Sequence, residues 1–181
     1  MIICGSKPVT EPVDHIVDSF DVIVRHNMLI HGQGYGFKPS TFQVLNCHVW
    51  ENKGSWPNMF DRYVKSGIVS EAKARAFHEY YMSRPETVFM RVDPKSTKAI
   101  QRLYPNVRIN KDLRAGFAMI GHCVMHGIRP TLIGYSMEEK DYLRHQIGYA
   151  EGKMSPYHDN RVELELLERL IDDGYVDGQY L

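Results

Sequence analysis

Cysteine is scarce in this chain: Cys4, Cys47 and Cys123 are the only three among 181 residues. An odd count without close pairing argues against a disulfide framework and for reduced thiols. An excess of charge of one sign is missing as well. Lys and Arg total 22 and Asp and Glu total 22, so the formal net charge is zero. No long-range field draws the chain to nucleic acid or an anionic membrane. No apolar run approaches the length of a membrane span. The opening Met1-Ile2-Ile3-Cys4-Gly5 lacks a basic stretch followed by a long apolar one. No signal peptide is therefore expected, and the cytoplasm is the expected location.

Several chemical signatures are also absent. The turn at Gly5 has neither Walker nor dinucleotide-fingerprint spacing. There is no Asp-x-Asp to hold a metal on a nucleotide diphosphate, and no Gly-x-Ser-x-Gly nucleophile elbow. Metal-bound diphosphate-sugar transferases and esterases of the common hydrolase fold lose ground accordingly. No repeat, linker or low-complexity tract divides the chain, so residues 1–181 read as a single domain.

Hydrophobic residues make up 43% and charged residues 24%, as in ordinary globular domains. Apolar, β-branched runs predict strands over 1–4, 21–25, 41–46, 87–92 and 131–135. Helices are expected over 14–17, 57–64, 70–82, from Asp93-Pro94 to near Tyr104, from a cap at Asp112 through Met125, and over 161–171. Ser70 is a plausible cap and Gly127 a stop. The segment 31–40, with three glycines and a proline, reads as a loop. Strands alternating with helices predict an α/β fold: a single Rossmann-like domain whose mainly parallel sheet carries helices on both faces. Ligands of such sheets sit beyond the carboxyl ends of the strands. Three segments with interesting chemistry leave strand ends there: Gly5-Ser6-Lys7-Pro8, Arg25-His26-Asn27 and Asn46-Cys47-His48.

Gly5 lets a backbone approach a ligand closely, and free N–H groups in such a turn can meet phosphate; a tight turn with no ligand is the plain alternative. Arg25 either pairs with a ligand carboxylate or ties its strand end to Asp18 or Asp21. Asn27 can donate to and accept from ribose or phosphate. Arg114, Ala115 and Gly116 stand at a helix start, where free N–H groups bind phosphate; close helix–strand packing explains the same small residues. His158 precedes an amphipathic helix and suits a general base for a sugar hydroxyl, or is a surface histidine beside a helix cap. His122 and His126 share a helix face and could bind zinc, yet no Glu follows His122 and no third ligand is evident nearby. Packed histidines are the simpler reading.

The order of these pieces resembles the sialyltransferases, the eukaryotic-type sialylmotif family and, more loosely, its small bacterial relatives. Residues 17–27, an acid-rich turn and a strand ending Arg25-His26-Asn27, look like the long sialylmotif. Residues 114–136, a small-residue turn, an apolar helix and a strand ending Gly134-Tyr135, look like the short one. His158 to Glu163 matches the family's His-x4-Glu pattern. Ser6 stands where the family usually has Asn, Arg114-Ala115 stand where it usually has Ser or Thr, and the chain is shorter than typical members.

The resemblance implies a glycosyltransferase A-like variant of the fold and a metal-independent inverting glycosyltransferase, needing no cofactor. Its substrates would be a CMP-sugar donor, carrying sialic acid or a related keto-sugar, and a glycan acceptor. It assigns donor binding to Gly5, Ser6, Asn27, Asn46, Arg114, Ala115 and Gly116, and by region alone to Tyr142 and Tyr149. His158 is the implied catalytic base. Arg25 is a supporting residue, and so is Glu163, which orients His158 or caps its helix. Two other classes remain: a non-catalytic nucleotide or sugar-nucleotide binding module, and a zinc-dependent hydrolase built on His122 and His126.

Overall fold

A computed structural model of the chain describes residues 1–5, 7, 11–26, 29, 31–32, 34–45, 64–65, 70–84, 87–91, 95–111, 113–135 and 159–180. Its strands are β1 (Ile2–Cys4), β2 (Ile23–His26), β3 (Phe42–Leu45), β4 (Val88–Arg91), β5 (Thr131–Ile133) and β6 (Asp177–Tyr180). Its helices are α1 (Asp14–Asp18), α2 (Glu71–Ser83), α3 (Lys95–Leu103), α4 (Ala115–Met125) and α5 (Asn160–Asp172).

The six strands form one sheet in the order β4-β3-β2-β1-β5-β6, with every neighbouring pair parallel. From β1 the chain steps outward through β2, β3 and β4, then returns to place β5 on the other side of β1. That reversal creates a topological switch point between β1 and β5, where open α/β sheets form a crevice at the strands' carboxyl ends.

The strand period of two divides the core into two layers. Ile3, Val24, Val44 and Leu132 face α3, α4 and α5, meeting Ile100, Phe117, Ile120, Leu166, Leu167 and Leu170. Burying a Leu or Phe side chain contributes about 1.5–3 kcal/mol, and Leu166, Leu167 and Leu170 of α5 are fully buried. Ile2, Cys4, Ile23 and Ile133 face the other way, against Val17 of α1, Leu29 and Tyr35. Tyr80 of α2 packs its ring against His31, with centroids 5.2 Å apart. Helices thus cover both faces, as the alternation predicts.

Helix ends follow local chemistry. The Ser70 side chain accepts from the Lys73 amide at 3.3 Å, and Asp159 does the same for Val162 at 3.3 Å. Gly127, at φ +66°, closes α4 while the Ile128 amide donates to the Cys123 carbonyl at 2.9 Å. The start of α4 departs from expectation. Its N-cap is Arg114, with no capping bond from its own side chain, and Asp112 lies outside the described residues. β6 was not expected: Asp-Gly-Gln-Tyr carries no apolar alternation, and only the preceding Val176 enters the core. Of the helix expected over 57–64, all but Val64 falls outside the described residues. Among the described residues no helix is long and apolar enough to cross a membrane.

Candidate functional site

β1 and β5 stay in register past their last residues. The Gly5 amide donates to the Ile133 carbonyl at 2.7 Å, and the Lys7 amide to the Gly134 carbonyl at 3.0 Å. The turn that leaves β1 is therefore stitched to the turn that leaves β5. The amides of Gly5 and Lys7 are spent on this stitch.

Three glycines make the crossing possible, and each is filled by protein. A Cβ on Gly5 would lie 2.2 Å from the Gly134 carbonyl oxygen. One on Gly134, at φ +69°, would lie 2.1 Å from the Tyr35 hydroxyl. One on Gly116 would lie 2.7 Å from the Tyr135 hydroxyl. Real Cβ contacts do not come this close, so a side chain at any of these positions would force its neighbour to shift. Close packing on Tyr135 accounts for the missing side chain at Gly116, and at Gly5 the chain crosses the Gly134 carbonyl.

Two tyrosines bracket the switch point from opposite layers. Tyr35, fully buried, belongs to the α1 layer. Tyr135 belongs to the α3–α5 layer and meets the His26 ring edge-on, with centroids 6.2 Å apart. The Tyr135 hydroxyl lies 3.4 Å from His26 Nε2. His26 is half-buried by accessible area, but protein packs closely around its imidazole. Burial pushes its pKa down to about 4, and a hydrogen bond to the Cys4 backbone only partly offsets this. At neutral pH His26 is an uncharged hydrogen-bonding group at the end of β2.

Arg25 does not reach solvent: it is fully buried. Its guanidinium donates to Ser40 Oγ at 3.0 Å and to the Tyr35 carbonyl. Neither Asp18 nor Asp21 is its hydrogen-bond partner in these contacts, so the tie runs to the 35–40 segment instead. Desolvation lowers its pKa from the ordinary arginine value.

Arg114 and Glu163 join the two helices that the resemblance places at the site. Glu163 is fully buried. Its Oε1 accepts from the Arg114 amide at 2.8 Å, and its Oε2 accepts from the Arg114 guanidinium. The same guanidinium donates to Asn160 Oδ1 in the first turn of α5. Glu163 thus caps α4 rather than its own helix. It also neutralises the positive charge of Arg114. The first intrahelical bond of α4 runs from the Ala118 amide to the Arg114 carbonyl at 3.0 Å. The amides of Ala115 and Gly116 precede that ladder, at the positive end of the helix dipole.

The structure brings Gly5, Ala115, Gly116, Arg114 and Glu163 into one contiguous group through Tyr135 and the Arg114–Glu163 pair. Arg25 lies on the opposite layer and reaches the β1 turn through Tyr35. Ser6, Asn27, Asn46, Tyr142, Tyr149 and His158 lie outside the described residues. The sequence reading missed Tyr35 and the site role of Tyr135. The Gly134-Tyr135 pair was a usable signal, whereas Tyr35 sits in a glycine-rich loop with nothing in its neighbours to single it out.

Other chemistry is quiet. Burial raises the Cys4 thiol to about 12 and the Cys123 thiol to about 11. The rings of His122 and His126 are 4.6 Å apart, with His126 exposed at the end of α4. Among the described residues no group of three or more His, Cys, Asp or Glu side chains could hold a metal. In comparisons with known proteins, the chain matches no family model and no curated sequence.

Proposed function

We propose that the chain is an inverting glycosyltransferase that moves sialic acid or a related keto-sugar from a CMP-linked donor to a glycan hydroxyl. The observation that carries this reading is the meeting of three motif-like segments at one switch point. The turn after β1 is stitched to β5, Gly116 at the start of α4 packs on Tyr135 beside Gly5, and Glu163 of α5 caps α4 through Arg114.

In this reading the CMP phosphate and ribose are held by Ser6, Asn27 and Asn46 together with the first-turn amides of α4. His158, the residue before the Asp159 cap of α5, takes the proton from the acceptor hydroxyl. That oxygen attacks the anomeric carbon from the face opposite the phosphate. The bond from the anomeric carbon to the phosphate oxygen breaks, and CMP leaves with the electron pair. A positioned base contributes about 10²–10⁴-fold to such a step. Donors aimed at the leaving phosphate stabilise its growing charge. The reading needs no metal.

A second reading has its own support. The Gly5 and Lys7 amides are spent on β5, and the Arg114 charge on Glu163. A module that binds a nucleotide or sugar nucleotide without turning it over fits that economy of free donors. Turnover separates the two. In the enzyme reading His158→Ala keeps CMP binding and loses transfer from CMP-linked sugars, while Asn27→Ala weakens CMP binding. Transfer unchanged in His158→Ala contradicts the base assignment. CMP binding without transfer or donor hydrolysis in the native protein favours the module.

A further inference from the structure

A fully buried arginine needs a reason, because desolvating its charge is costly and an apolar residue of similar size often serves packing better. Arg25 is such a residue. Its partners all lie in one stretch of chain. The guanidinium donates to Ser40 Oγ at 3.0 Å and to the Tyr35 carbonyl. Ser40 Oγ donates onward to Gln43 Oε1 at 3.0 Å, and Gln43 Nε2 donates to the Leu29 carbonyl at 3.0 Å.

Helix α1 fixes the same stretch from the other side. The Gly36 amide donates to Asp14 Oδ1 at 2.7 Å, and the Lys38 amide to Asp18 Oδ1 at 3.0 Å. Gly36 sits at φ +84°, and a Cβ there would lie 2.6 Å from Asp18 Oδ1. The segment is therefore held at the Tyr35 carbonyl and the Ser40 hydroxyl by β2, and at the Gly36 and Lys38 amides by α1.

What this scaffold delivers is Tyr35. Its carbonyl is held by Arg25, its ring covers Gly134, and its hydroxyl donates to the Lys7 carbonyl. The Lys7 amide already donates to the Gly134 carbonyl at 3.0 Å. Lys7 is thus gripped at both its amide and its carbonyl. A phenylalanine would fill the same volume; only the hydroxyl reaches the turn.

We propose that Arg25 and Tyr35 form a positioning relay that sets the backbone of the turn after β1. Arg25 acts on the turn only through Tyr35, and neither residue touches the donor. The relay itself rests on the contacts above; its consequence for nucleotide affinity rests on the CMP-sugar reading.

The test compares the native protein with Tyr35→Phe and Arg25→Lys, separately and together. Amide exchange at Lys7 and Ile3 is read by NMR, and CMP affinity by calorimetry. Tyr35→Phe removes the hydroxyl that donates to the Lys7 carbonyl, so Lys7 exchange rises about tenfold while Ile3 is unchanged. Arg25→Lys keeps the charge but loses the fork that holds both partners, and gives the same pattern. The double variant exceeds the larger single effect by little, as expected of links in series. CMP affinity falls about tenfold in each single variant, with kcat at saturating donor unchanged. Unchanged Lys7 exchange in a folded Tyr35→Phe protein overturns the relay, whatever CMP does. Raised Lys7 exchange in a protein that binds no CMP in its native form supports the relay and overturns the nucleotide reading alone. Tyr35→Phe carries the test by itself should Arg25→Lys fail to fold.

Discussion

Glu163 Oε1 accepts the Arg114 amide at 2.8 Å while Oε2 accepts the guanidinium of the same residue. One carboxylate thus caps the start of α4 and neutralises the charge beside it. Removing Arg114 strands the fully buried Glu163 carboxylate without its guanidinium, whereas Arg114 keeps Asn160 when Glu163 is removed. Arg114→Ala is expected to cost about 3–5 kcal/mol of folding stability, and Glu163→Ala less. Arg114→Met with Glu163→Leu should recover much of that loss. Urea denaturation of the single and double variants measures both, and additive losses would contradict a coupled pair.

Glycines at positive φ separate into two kinds here. Gly174, at φ +74°, has nothing within 4 Å of a Cβ position, whereas a Cβ on Gly134 would lie 2.1 Å from the Tyr35 hydroxyl. Gly174→Ala should cost only the left-handed backbone term, about 1–2 kcal/mol. Gly134→Ala adds a collision in a fully packed layer, and is expected to cost about 3 kcal/mol or more. Thermal melting ranks the two; equal losses would show that Tyr35 does not fill the space over Gly134.

His26 makes stability depend on acid. Unfolded, it takes a proton near its ordinary 6.5; folded, burial holds it to about 4. Between those values the unfolded chain binds the extra proton, so stability is complete above about 6.5 and declines as pH falls toward 4. The slope for one such group is about 1.4 kcal/mol per pH unit. His26→Gln should flatten the stability profile in that window. A profile with the native slope would show that His26 titrates normally.

Burial keeps Cys4 and Cys123 as thiols, at about 12 and about 11. Iodoacetamide at pH 8 should leave both unmodified in the native protein and label both in denaturant, as peptide mass spectrometry would show. Rapid native labelling of Cys4 would contradict the closed layer between β1 and α1.

Much of the fold was legible because its strands are buried runs and its helices carry clear stops. Ile2–Cys4, Ile23–His26 and Thr131–Ile133 follow directly from their apolar runs. β6 was not legible, since an edge strand paired on one side needs no apolar alternation. The sequence located the β1 turn and a helix start near Arg114, though not its cap, and did not reveal their chemistry. Gly5 and Gly116 read as room for a ligand, yet the room is taken by Gly134 and Tyr135. Arg25 read as a strand-end residue near ligand or acid, yet its partners stand 10 and 15 positions further along the chain. Such contacts depend on how the loop returns over the sheet, which no local pattern encodes.

Calorimetric titration of the native protein with CMP in the presence of EDTA, with UDP and GDP as controls, asks whether the chain holds a CMP-selective site. Selective, saturable binding of CMP without metal is expected of a CMP-sugar transferase. No CMP binding, or equal binding of all three nucleotides, would rule that function out.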